Sequence, residues 1–206
     1  MSPGGGPEDR LLEVLRRARD LGFLGPGPVE DQLAHAEAFV AAIADRPGPL
    51  LDLGSGGGLP GLVLAVRRPD LQVVLVDAAA KRIAFLAQAL SELGLAGRCR
   101  AEQGRAEVLG RGSLRAGFDV VTARSFGAPA VTAECGAPFL KVGGLLIVSE
   151  PPEATDRWPV EGLATVGLAP GPVLDGPPRL QLLEQRATCP SGYPRRDGVP
   201  AKRPLF

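Results

Sequence analysis

The sequence is poor in the residues that build metal and nucleophile chemistry. Among 206 residues there is one histidine, His35, and there are three cysteines, Cys99, Cys135 and Cys189. A single histidine cannot found a histidine-rich metal site. An odd number of widely spaced cysteines suits neither a disulfide framework nor a zinc cluster. No metal is therefore expected, and the thiols read as buried or free groups in a reducing compartment. An excess of charge of either sign is also missing: 23 Lys and Arg balance 23 Asp and Glu. That excludes a general basic field for nucleic acid, so any such partner must be held by local charge. No apolar run approaches the ~20 residues that span a bilayer, and no membrane partner is expected. The opening MSPGGGPEDR has no basic stretch followed by an apolar one. It reads as a disordered leader rather than a signal peptide, and the expected location is the cytoplasm.

What is present is apolar patterning. Hydrophobic residues make up 45% of the chain, enough for one sizeable core. Leu11, Leu12, Leu15 and Ala18 share one helical face over 8–22, and Leu33, Ala36, Phe39, Val40 and Ile43 recur at helical spacing from Glu30 to about Asp45. From residue 50 the pattern changes to short β-branched runs alternating with helices. Strands are expected over the apolar run PLLDLG at 49–54 and over 71–77, 98–104, 118–125 and 143–150. Helices are expected over 60–68, with Pro60 near the first helical position, and over 78–94 and 128–141. GLATVGLAPGPVL and RLQLLEQRA can pair around DGPP as a closing antiparallel hairpin. The expected fold class is α/β: a doubly wound, mostly parallel seven-stranded sheet of Rossmann-like kind with an N-terminal helical cap. The expected division is 1–47 as leader and cap, 48–190 as the sheet domain, and 191–206 as a Pro-rich basic tail.

The chemistry concentrates in DLGSGGGLPG. Gly54, Gly56 and Gly58 follow a strand and precede a helix, where glycine tolerates positive φ and lets a ligand lie against the backbone. Asp77 ends the next strand, where a carboxylate can accept both hydroxyl hydrogens of a ribose. Together they describe a nucleoside-binding crevice. GGGLPG also satisfies the dinucleotide fingerprint, which alone is weak. Asp52 favours S-adenosyl-methionine: a carboxylate just before the glycines could meet a methionine amino group, but would be unfavourable beside a pyrophosphate. NAD(P), and an ordinary loop with no ligand, remain the alternatives.

The sequence resembles the bacterial 16S ribosomal RNA guanine-N7 methyltransferases, the glucose-inhibited division protein B family of class I S-adenosyl-methionine-dependent methyltransferases. The resemblance rests on DLGSGGGLPGLVLA at 52–65, D-x-x-x-KR-x-x-FL at 77–86, RAE within GRAE at 104–107, ARSF at 123–126 and YPRRDGVPAKRPL at 193–205. It implies cofactor contacts at Gly54, Leu59, Ala106, Glu107 and Arg124. Lys81 and Arg82 read as a solvated helix face or as phosphate contacts. The family's Lys-Gly after the fifth strand is replaced by Ser149-Glu150-Pro151-Pro152, and an acidic residue there would repel RNA.

If the resemblance holds, the acceptor is guanine N7 in 16S rRNA or a small ribosomal subunit precursor. N7 carries an in-plane lone pair and no proton, so attack on the sulfonium methyl needs alignment rather than a general base. No catalytic residue is singled out. Arg195, Arg196, Lys202 and Arg203 are the candidates for RNA contact, on a tail that its prolines would keep extended. Methylation of a small molecule or another RNA, and a non-catalytic cofactor-binding module, are the competing functions.

Overall fold

In the computed structural model, residues 6–153 and 156–206 are described. The first half of the expected leader lies outside them. Its second half does not: Pro7 already opens helix α1 (Pro7–Asp20), with Glu8 and Asp9 in the first turn and Arg17 and Arg19 in the last. That charge order complements the helix dipole. Helix α2 (Val29–Ile43) follows.

The strands are β1 (Leu50–Leu53), β2 (Val73–Asp77), β3 (Cys99–Gln103), β4 (Phe118–Ala123), β5 (Leu140–Glu150), β6 (Leu168–Leu174) and β7 (Arg179–Gln185). They form one sheet in the order β3-β2-β1-β4-β5-β7-β6. β1 to β5 run parallel, while β7 is antiparallel to both β5 and β6. The expected terminal hairpin is present, but its second strand reaches the sheet first. The order reverses between β1 and β4, the topological switch point at which α/β sheets bind ligands.

Alternation along the strands divides the core in two. Leu50, Val73, Leu75, Val120, Leu145 and Ile147 face one layer, with α1, α2, α3 (Gly61–Arg67) and α4 (Ala80–Glu92). Leu51, Leu53, Val74, Val76, Val121, Leu146 and Val148 face the other, with α5 (Ala106–Leu109), α6 (Pro129–Gly136) and α7 (Val160–Ala164). Strands buried on both faces explain the continuous apolar runs. The N-terminal helices share the core of the first layer, α2 packing on α3 and α1 on α3 and α4.

Several expectations shift. The helix placed over 128–141 ends at Gly136, and a 3-10 turn over Ala137–Phe139 leads into β5. Pro60, expected near the first helical position, is the N-cap of α3. The tail beyond residue 190 is not free and extended. It contains a short helix, α8 (Val199–Lys202), and Pro194 and Pro200 are buried.

Candidate functional site

β1 carries Leu-Leu-Asp-Leu, so the period of two sends Asp52 into the α1–α4 layer beside Leu50. Its cross-strand partner is Thr122. The Thr122 hydroxyl donates to Asp52 Oδ1 at 2.8 Å, and the Gly61 amide donates to Oδ2 at 3.2 Å. Asp52 is 1% exposed. Burial raises its pKa from 3.8 to about 6, opposed by the Thr122, Ser55 and Gly61 hydrogen bonds. Asp52 ties the start of α3 to β1 from beneath and lines neither of the two cavities at the switch point.

The glycines above it serve the chain as much as a ligand. Gly54 has φ +72°, and a Cβ there would lie 2.7 Å from the Phe126 ring. A Cβ at Gly57 would lie 2.6 Å from Leu24 Cδ2 and 3.0 Å from the Phe23 carbonyl oxygen. The turn after α1 therefore sits directly on the loop. Gly58 lines neither cavity.

Asp77 ends β2 with 5% exposure. Oδ2 accepts from the Gly56 amide at 3.0 Å, Oδ1 accepts from the Ala79 amide at 2.8 Å, and Arg82 Nη1 stands 3.4 Å from Oδ2. The carboxylate thus braces the glycine loop while facing a cavity of ≈ 510 Å³. Gly54, Ala106, Glu107 and Cys135 line the same cavity. Burial, with Glu107 and Glu134 nearby, pushes the Cys135 thiol far above its ordinary pKa, so it stays protonated and inert.

A second cavity, ≈ 240 Å³, adjoins the first through Gly54, Arg82 and Ser125. Gly56, Leu59, Gln32 and Arg124 line it. Arg124 Nη2 donates to Gln32 Oε1 at 3.2 Å, whereas Nη1 is buried with no hydrogen-bond partner. Burial lowers the Arg124 pKa, partly offset by Asp52. The next residue, Ser125, has φ +54°, a left-handed conformation that non-glycine residues keep only under constraint. An orphaned guanidinium nitrogen wants an acceptor. A carboxylate-bearing cofactor with a ribose fits here: Asp77 and Arg124 stand on the two connected cavities, one able to accept and one able to donate.

Gln32 is not evident from the sequence as a site residue. Its signal is a polar residue on the buried face of α2, one turn before Ala36 and aligned with Phe39 and Ile43.

Among the four expected RNA contacts, Arg195 is otherwise engaged. Its Nε donates to Glu134 Oε1 at 2.8 Å and its Nη2 to Oε2 at 2.5 Å. Glu134, on α6, is 0% exposed. Arg195 is therefore a structural anchor, not a free cation. Arg196, Lys202 and Arg203 are exposed and have no ion pair among the described residues. Lys81 is exposed on α4. Glu150 is buried, and Arg157 Nη1 and Trp158 Nε1 donate to it at 3.0 Å and 3.2 Å. Its charge is compensated within the protein, which removes the repulsion expected of that position. No group of three or more potential ligands that could hold a metal occurs among the described residues. No helix among them is long and apolar enough to cross a membrane.

Residues 30–157 match the family described as rRNA small subunit methyltransferase G. The chain belongs to that family. A ribosomal RNA small subunit methyltransferase G from Deinococcus radiodurans is 36% identical over 214 residues, covering 96% of this chain and 84% of the relative. The one from Rubrobacter xylanophilus is 36% identical, covering 95% and 80%. Similar folds include a SAM-dependent methyltransferase from Aquifex aeolicus (TM-score 0.60, 15% identity, covering 84% of this chain and 98% of that one). A methyltransferase from Geobacter sulfurreducens has the same TM-score of 0.60 and identity of 15%, covering 90% and 93%. The member of the family described here is a methyltransferase with a class I fold, and its methyl donor is S-adenosyl-methionine.

Proposed function

We propose that this chain methylates N7 of a guanine in 16S ribosomal RNA, in the cytoplasm, with the small subunit or its precursor as partner. Support comes first from the titratable groups around the larger cavity. The acidic side chains among its lining residues are Asp77 and Glu107, and each accepts a hydrogen bond from a backbone amide. Cys135 is held protonated. Among the described residues no lining group is poised as a general base. An acceptor atom that carries a lone pair and no proton suits such a site, and guanine N7 is one.

The bound cofactor supplies an electrophilic methyl group. The residues do the rest by position. Asp77 is suited to the ribose hydroxyls, Glu107 and Ala106 to the adenine end, and Arg124 Nη1 to the amino acid carboxylate. Ser125 and Phe126 stand beside Gly54, where the acceptor must approach. Arg196, Lys202 and Arg203 face solvent and suit RNA phosphates. Mapping methylated nucleosides in 16S rRNA from a strain lacking the protein tests the reading. One N7-methylguanine should disappear and return when purified protein and S-adenosyl-methionine are added to the subunit or its RNA. Unchanged methylation would overturn it, and loss of a mark elsewhere would favour another RNA.

A further inference from the structure

The segment from Cys189 to the C-terminus crosses the exit of β3 as a strap. Arg115 Nη2 donates to the Cys189 carbonyl at 2.6 Å and to that of Pro190 at 3.0 Å, while Nη1 donates to that of Tyr193 at 2.7 Å. Arg111 Nε donates to the Pro194 carbonyl at 2.7 Å. These arginines secure the near end. The anchor is Glu134, which accepts from the Arg195 amide at 2.8 Å as well as from its guanidinium. Three residues on, the Gly198 amide donates to Glu107 Oε1 at 3.2 Å, and Arg105 bridges Glu107 and Asp197. Ala201 lines the larger cavity alongside Glu107.

A fully buried carboxylate that loses its cation becomes an uncompensated charge. Glu134 therefore holds Arg195 firmly, and Arg195 sets where Gly198 and Ala201 lie. We propose that the C-terminal strap is a wall of the cofactor cavity, with Glu134 and Arg195 as positioning residues for Glu107 and Ala201. Cofactor affinity then depends on an ion pair that lines neither cavity with its guanidinium or carboxylate. The inference rests on the reading of that cavity as the S-adenosyl-methionine site. Coupling of this kind is reciprocal: whatever the strap contributes to cofactor affinity, the cofactor contributes to order in the strap.

Two measurements on the full chain test it, with S-adenosyl-homocysteine as the probe. Calorimetry on Glu134→Gln should show binding weakened about tenfold, with circular dichroism unchanged. Hydrogen exchange on the wild-type chain should show slower exchange over residues 195–203 when S-adenosyl-homocysteine is added. If Glu134→Gln fails to fold, the wild-type exchange experiment decides alone. Undiminished affinity in a folded Glu134→Gln, or exchange over 195–203 that ignores the ligand, would overturn the proposal. A wild-type chain that does not bind S-adenosyl-homocysteine at all would overturn the cofactor reading itself, and the strap's role with it.

Discussion

The two ends of the larger cavity are built differently. At the glycine-loop end the contacts are short in sequence: Asp52 to Gly61 spans nine positions and Asp77 to Gly56 spans 21. At the strap end Arg195 reaches Glu134 across 61 positions and Gly198 reaches Glu107 across 91. The first end rests on backbone amides donating to carboxylates at strand ends. The second rests on arginines that hold carbonyls and a buried carboxylate. A loop braced by its neighbours forms with β1 and β2, whereas the strap exists only once α5 and α6 are in place. One cavity thus has a wall intrinsic to the sheet and a wall borrowed from the far end of the chain.

The sharpest way to break this contrast is at Asp77. Asp77→Ala removes the acceptor of the Gly56 and Ala79 amides and the candidate ribose partner together. Charge-assisted hydrogen bonds are worth ~1.5–3 kcal/mol each, so S-adenosyl-homocysteine affinity should fall by about a hundredfold or more. Calorimetry measures it, and an unchanged dissociation constant would show that the loop end does not need this carboxylate.

The outer face of the strap gives a smaller effect of another kind. Arg196→Gln, Lys202→Gln and Arg203→Gln together should weaken 16S rRNA binding about tenfold. They should also flatten its salt dependence by a log–log slope of about 2, at ~0.7 for each phosphate that the cations no longer neutralise. Filter binding over a salt series is the measurement. If cofactor affinity falls instead, the outer cations serve the wall rather than the RNA.

Smaller again is Gln32. Its Nε2 donates to the Gly25 carbonyl at 2.9 Å, fixing the amide so that Oε1 faces Arg124. Gln32→Ala leaves a second Arg124 nitrogen without its acceptor. The loss of one such bond, ~1 kcal/mol, predicts about fivefold weaker S-adenosyl-homocysteine binding. Equal affinity would mean that Arg124 is held by its surroundings and not by Gln32.

The loop end is legible in the sequence because local rules write it. A strand, glycines, a helix start and an acidic residue at the end of the next strand lie in one stretch, and the seven strands follow from short apolar runs that alternate with helical spacing. Two positions do more in the fold than the sequence shows. Asp52 precedes the glycines as a ligand-facing carboxylate would, but β-strand alternation turns it into the helical layer toward Thr122. Within the glycine run, a Cβ at Gly58 would meet the Leu62 side chain, and Gly58 lines neither cavity. The strap end is not legible. Arg195 and Glu134 carry no periodic mark, and four cations in a Pro-rich segment look like a solvated tail. Only the sheet, by bringing α6 beneath residue 195, shows that one of the four is already taken. Glu150 repeats the lesson: acidic in sequence, it is neutralised in space by Arg157.

An effect on stability rather than on affinity, and the one that separates brace from ligand contact, belongs to Asp52. Its pKa rises from 3.8 in the unfolded chain to about 6 in the fold. Between those values the native state binds more proton than the unfolded state, so this group's contribution makes stability fall as pH rises. The cost is complete once pH exceeds the folded value, and a raise of that size is on the order of 3 kcal/mol at most. Asp52→Asn keeps an oxygen for the Gly61 amide or the Thr122 hydroxyl and removes the titration. Relative to Asp52→Asn, the wild-type chain should therefore lose stability from about pH 4 to about pH 6 and hold a constant difference above about pH 7. Urea denaturation of both proteins across that range measures the difference. A gap that does not change with pH would show that the buried carboxyl titrates normally. A large fall in S-adenosyl-homocysteine affinity with the loop's stability intact would show that Asp52 also faces the ligand.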